Sequence, residues 1–174
     1  RWATDLEELA YDKGRDAEDR CRALTLLQQF GPTPEEATLI ALSQDVNYQV
    51  RSAAVFLLGM QPSDATSDAL RSRLSDKHGQ VRRRACEALV RAKLQPPVEE
   101  LLPLLEDKDR WVRYAARALL GRYDPAQYRS AVFQAKNPRI AIEGMLALIA
   151  SEPNEAQLIE LVDQQSQILQ TQLS

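Results

Sequence analysis

Asp76-Lys77-His78-Gly79-Gln80-Val81-Arg82-Arg83-Arg84-Ala85-Cys86-Glu87-Ala88-Leu89 decides the reading of this chain. Its skeleton is D-x4-V-R-x2-A-x3-L. The same skeleton returns at Asp107, Val112, Arg113, Ala116 and Leu120, and earlier at Asp45, Val50, Arg51, Ala54 and Leu58. Arg20, Ala23 and Leu27 extend three of these columns to four members, each 31 residues apart. Leu39, Leu70 and Leu101 form another column with the same period. At 100° per residue, the valine, alanine and leucine share one face of a helix. Alanine at the centre of that face lets a second helix approach closely. The aspartate precedes the helix, where its carboxylate can accept hydrogen bonds from free N–H groups. The arginine flanks the apolar face and is placed to pair with an aspartate of its own or a neighbouring repeat, forming a ladder. Both charges read as scaffold.

A second helix accompanies each of these. Pro34, Pro62, Pro97, Pro125 and Pro153 mark helix starts, because the missing proline N–H would be unpaired in a first turn anyway. Thr33-Pro34-Glu35-Glu36 reads as a capping box with proline at the first helical position. Asp124-Pro125 repeats the cap-plus-proline logic, and Pro103 should kink the helix that contains it. The expected helices are 3–13 with 16–29, 34–43 with 47–60, 63–75 with 79–93, 97–106 with 110–122, and 126–134 with 138–151, then a last helix over 154–170. The fifth repeat is irregular: Ile140 follows Val112 by 28 residues, and Ala141 replaces the ladder arginine. Atypical terminal units are expected of a stack whose ends meet water. The last helix, with Leu158, Leu161, Val162 and Ile168 on one side and glutamines on the other, reads as a polar cap.

The central units resemble the second helices of HEAT repeats, and their 31-residue period is similar to the short class of the phycobilin-lyase type. The ankyrin T-P-L-H-x-A and tetratricopeptide W-x2-L-G-x2-Y motifs are absent. The resemblance spans about 16–151 and implies an all-α α-solenoid, a superhelix of about five helical hairpins plus a C-terminal capping helix. The chain then reads as one domain, 1–174, with repeats at 3–31, 32–62, 63–95, 96–124 and 125–151 and the cap at 152–174. The resemblance also implies that the second helices line a concave side.

Composition narrows the function classes. The 174 residues carry a net charge of −3, with 27% charged and 6% aromatic residues. No apolar run approaches the ~18 residues a membrane span needs. Cys21 and Cys86 make no disulfide framework and read as free thiols of a reducing compartment, so a cytoplasmic location is expected. His78 is the only histidine, too few for a histidine-rich metal site, and it reads as a solvated turn residue. The sequence offers no glycine-rich phosphate loop and no placeable nucleophile–base set. No metal, cofactor or catalytic residue is assigned, and the chain reads as a non-enzyme. Its opening at Arg1 leaves room for a larger parent protein.

Candidate binding residues follow from the helix pole opposite the core. In the fourth unit that pole carries Arg110, Tyr114, Arg117 and Ala118, with Trp111 at its edge. The matching positions are Gly79, Arg83, Cys86 and Glu87 one repeat earlier, and Tyr48, Ser52, Val55 and Phe56 before that. In the fifth unit they include Ile142, Met145 and Leu146. Tyr48, Phe56, Arg83, Arg110, Trp111, Tyr114 and Arg117 are the candidate partner contacts. The expected function is a non-catalytic protein–protein interaction scaffold that holds a peptide or helix on its concave face. Two alternatives stand beside it. Residues 71–122 hold thirteen Lys and Arg against seven Asp and Glu, which suits a nucleic-acid backbone. The family resemblance also allows a bilin-lyase-like chromophore-handling subunit, for which the sequence supplies no chemistry.

Overall fold

A computed structural model describes residues 2–151 and 154–173. All regular structure among them is helical, and the chain is an α-solenoid of helical hairpins. It divides into two compact units, 1–94 and 95–174. The first unit pairs α1 (Trp2–Tyr11) with α2 (Ala17–Phe30), α3 (Glu36–Leu42) with α4 (Tyr48–Leu58), and α5 (Asp64–Arg73) with α6 (Gly79–Ala92). The second pairs α7 (Val98–Leu101) with α8 (Arg110–Leu120), and α9 (Pro125–Phe133) with α10 (Pro138–Ala150), and ends in α11 (Glu155–Leu173). Every expected helix is present. The start assigned to Pro153 lies outside the described residues.

Within each unit the second helices pack side by side, α2 on α4 on α6, and α8 on α10. Their starts share one device. Asn47, His78 and Asp109 are the N-caps of α4, α6 and α8; their side chains accept the N–H of Gln49, Gln80 and Trp111 at 2.8, 3.3 and 2.8 Å. Asn137 caps α10 in the same way at 2.9 Å. Asp45, Asp76 and Asp107 therefore do not cap their helices. Each carboxylate accepts the N–H of the capping residue two positions on, at 2.8–2.9 Å, and so folds the preceding turn. His78 is half-buried rather than solvated, because its Nδ1 serves as the cap acceptor and its ring is stacked.

Prolines behave less uniformly than expected. Pro125 takes the first position of α9 behind the Asp124 cap, whose carboxylate accepts the Ala126 N–H at 2.9 Å. At Thr33 the capping box does not form, and α3 begins at Glu36. The reason is tertiary. Buried Pro34 gives its carbonyl to the Gln61 amide at 2.9 Å, and the Glu36 carboxylate turns to the Ser63 and Thr66 hydroxyls at the start of α5. Those two hydroxyls hold the Glu36 carboxyl below its ordinary range. Pro103 bends its helix by tightening it: α7 gives way to a 3₁₀ turn over Leu102–Glu106.

The core contains the columns read from the sequence: Val50, Val81 and Val112, then Ala54, Ala85 and Ala116, then Leu58, Leu89 and Leu120 are buried. It also contains a column assigned to the opposite pole. Leu24, Val55, Cys86 and Met145 are buried and pack between neighbouring hairpins, and Ser52 is buried beside them. An inner-layer helix has a neighbouring hairpin on each flank, so its apolar arc is wider than a one-sided helix would need. At the C-terminal end, Leu161 of α11 is buried while Leu158, Ile159 and Val162 are exposed. The last helix thus presents an apolar stripe to water and is not simply a polar cap.

The arginine ladder forms, and it runs between repeats. Arg20 holds Asp45 through Nη1 and Nη2 at 3.3 and 2.6 Å, and Arg51 holds Asp76 through Nε and Nη2 at 2.8 Å each; all four side chains are buried. Three arginines of the ladder column also tie the turn of their own repeat: Arg51, Arg82 and Arg113 donate Nη1 to the carbonyls of Asp45, Asp76 and Asp107 at 2.7–2.8 Å. Burial pushes the Asp45 and Asp76 carboxyls up, but the arginine hydrogen bonds, the turn N–H and the nearby positive charge outweigh it and hold both below the usual range. The ladder changes partner in the fifth repeat. Ala135 stands where an aspartate would, and Arg113 and Arg117 instead share Glu143 of α10 at 3.2 and 2.7 Å.

Candidate partner-binding surfaces

The seven candidate residues fall into both units. Tyr48, Phe56 and Arg83 belong to the first. Tyr48 opens α4, and its ring stacks on His78 at the start of α6, with centroids 3.7 Å apart and 14° between planes. It is a joint between hairpins. Phe56 lies under two guanidinium groups, Arg91 at 4.3 Å and Arg84 at 5.2 Å from the ring centre. Arg91 also donates to the Phe56 carbonyl at 2.9 Å. Arg83 and Arg84 both reach Glu87, at 2.6 and 2.9 Å, because offsets of four and three residues meet on one helix face.

A groove of about 640 Å³ lies across the adjoining faces of α2, α4 and α6. Its lining joins apolar groups (Leu24, Ala53, Phe56, Leu57, Met60) to the neutral amides of Gln28, Gln49 and Gln80 and to the charged Arg84. Its size falls in the range of sites that accept a small molecule or a few side chains of a partner. Of the first unit's candidates only Phe56 lines it. The sequence reading missed Gln49 and Gln80, although they occupy the column that holds Trp111 in the fourth repeat, and it missed Cys21, which shares its column with Ser52. The Cys21 thiol, half-buried in this groove, is pushed up by burial against the lowering charge of Arg20.

The second unit brings its four candidates onto one face of α8. Trp111 and Tyr114 are 49% and 57% exposed, too open to be packing between hairpins. Arg110 lies 4.7 Å from the Trp111 ring centre and Arg117 lies 5.4 Å from that of Tyr114, so each aromatic is flanked by a guanidinium. Arg117 occupies the buried column of Leu24, Val55 and Cys86, and it is accommodated by the ion pair with Glu143. Beside α8, α10 places Ile142 in the Tyr114 column and Leu146 in the Ala118 column, 39% and 38% exposed, whereas Met145 is fully buried filler. Arg139, in the Trp111 column, is exposed at the start of α10.

Among the described residues no three His, Cys, Asp or Glu side chains gather as a metal site, and no helix is long and apolar enough to cross a membrane. The sequence matches the family model of HEAT repeats over residues 6–89, 35–121 and 67–155. Together these windows cover most of the chain, and the protein belongs to the HEAT-repeat family. Repeats of this family generally act as scaffolds for protein–protein interaction. No curated protein matches the chain significantly.

Proposed function

We propose that this chain is a non-catalytic interaction scaffold whose second helices hold a peptide or helix of a protein partner. The observation that carries this reading is the open face of α8, where Trp111 and Tyr114 stay exposed while Val112, Ala115 and Ala116 of the same helix are buried. Large aromatics in water are the residue type that most often anchors a partner. The groove of the first unit supplies a second surface of the same kind. His78 uses its Nδ1 to cap a helix, and Cys86 is buried.

The test is affinity capture from host lysate with the wild-type chain beside Trp111→Ala/Tyr114→Ala and Phe56→Ala/Gln80→Ala variants, each with and without nuclease. A protein captured by the wild type and lost from either variant supports the scaffold. Capture abolished by nuclease supports the nucleic-acid alternative, which draws on the arginine content of α6 and α8. Capture unchanged in both variants rejects these surfaces.

A further inference from the structure

Charge in the second unit is sorted by layer. The helices α8 and α10 carry Arg110, Arg113, Arg117 and Arg139 against Glu143 alone. The remaining helical segments, α7 with its 3₁₀ turn, α9 and α11, carry six carboxylates and only Arg129. Every cation on α8 and α10 is arginine, the side chain suited to two-point contact with a carboxylate. Arg113 and Arg117 are committed to Glu143. Arg110 and Arg139 have no carboxylate within ion-pairing distance among the described residues. They stand beside the exposed Trp111, Tyr114, Ile142 and Leu146. The face therefore joins an apolar, aromatic centre to two unspent positive charges, carried on helices whose axes pack roughly 8–10 Å apart.

Building on the scaffold reading, we infer that the α8–α10 face docks an acidic, apolar segment of a partner protein. Aromatic or aliphatic side chains of the segment lie on Trp111, Tyr114, Ile142 and Leu146, and its carboxylates pair with Arg110 and Arg139. Complementary charge orients the segment and speeds its arrival, and the apolar contacts supply most of the affinity. A basic segment meets two guanidinium groups and is rejected.

The experiment selects peptides from a random phage-displayed library on the intact wild-type chain and on an Arg110→Glu/Arg139→Glu variant. Both altered residues are exposed and make no ion pair, and circular dichroism confirms that the variant keeps its fold. The expected result is enrichment on the wild type of sequences that combine Asp or Glu with Trp, Phe or Leu. Synthetic copies of these should bind the variant at least about tenfold more weakly, about 1.4 kcal/mol, and Trp111→Ala should weaken them further. Enriched sequences that are neutral or basic overturn the inference, as does equal binding to wild type and variant. Peptides insensitive to both changes but lost in Phe56→Ala/Gln80→Ala map to the first unit's groove. That outcome sinks this inference and leaves the scaffold standing. A single-stranded DNA oligonucleotide that binds the wild type more tightly than any selected peptide, and is lost in the variant, also overturns it.

Discussion

Arg51 grips Asp76 across 25 residues of sequence with two parallel 2.8 Å hydrogen bonds, in a site where both side chains are almost fully enclosed. The pair stitches one hairpin to the next, and its surroundings make it unforgiving. Removing one partner leaves the other charge buried without compensation, at a cost of about 3–5 kcal/mol. Asp76→Ala should therefore lower stability by that amount in denaturant titration. An Arg51→Met/Asp76→Leu double variant should recover much of the loss.

The same pair makes stability depend on acid. The folded pKa values of Asp45 and Asp76 lie below their unfolded value of about 3.9. Their contribution is complete above that value and disappears as pH falls through the folded values. Melting temperature should hold steady near neutrality and drop below about pH 4. An Asp76→Asn variant should start lower and show a shallower drop, measured by thermal melts across pH.

Gly59 and Gly121 occupy the same column and end α4 and α8 alike, in ordinary right-handed backbone. A Cβ on Gly59 would meet the backbone of Ala88 in α6 at 2.8 Å, whereas one on Gly121 finds nothing nearer than 3.5 Å. Gly59→Ala should destabilise by about 1–3 kcal/mol by forcing two helices apart. Gly121→Ala should be neutral or stabilising by about 0.4–1 kcal/mol. Paired urea titrations distinguish them.

Lys93 closes α6 in a left-handed conformation (φ 57°), with the N–H of Leu94 returning to the Leu89 carbonyl at 3.0 Å. Glycine adopts that conformation without strain. Lys93→Gly should raise stability by about 1 kcal/mol, seen as a higher denaturation midpoint at unchanged slope.

Trp111→Ala and Tyr114→Ala should each change stability by less than about 0.5 kcal/mol, since surface substitutions rarely do more. Met145→Ala, one column away from Ile142 but enclosed, should cost about 2–5 kcal/mol. A large loss at Tyr114 would make it packing and remove it from the surface.

The repeat period made the fold legible. Columns 31 residues apart located the helices, the core valines, alanines and leucines, and the ladder. The candidate surface was only half legible, for a geometrical reason. A helix viewed alone has one buried pole and one free pole, but α4 and α6 have neighbours on their flanks, so Val55 and Cys86 are buried although they lie about 100° around the helix from the alanine column. Trp111 and Tyr114 were picked as aromatics at the helix pole opposite the core, and both are exposed. Gln49 and Gln80 were passed over because two glutamines in one column look like ordinary helix surface, and only the fold shows that they line the groove. The Thr33 capping box failed because a local motif competed with Ser63 and Thr66, 27 and 30 residues beyond Glu36.

The change of ladder partner at Glu143 also bears on how such an array can grow. A duplicate of residues 32–62 inserted after itself would bring its own aspartate to the preceding arginine and its own arginine to the next aspartate, so the array would lengthen without a mismatch. A duplicate of residues 96–124 would offer Arg113 an aspartate but leave Arg117, which sits in an otherwise apolar column, without Glu143. The second hairpin is an interchangeable link, whereas the fourth is keyed to the one that follows it.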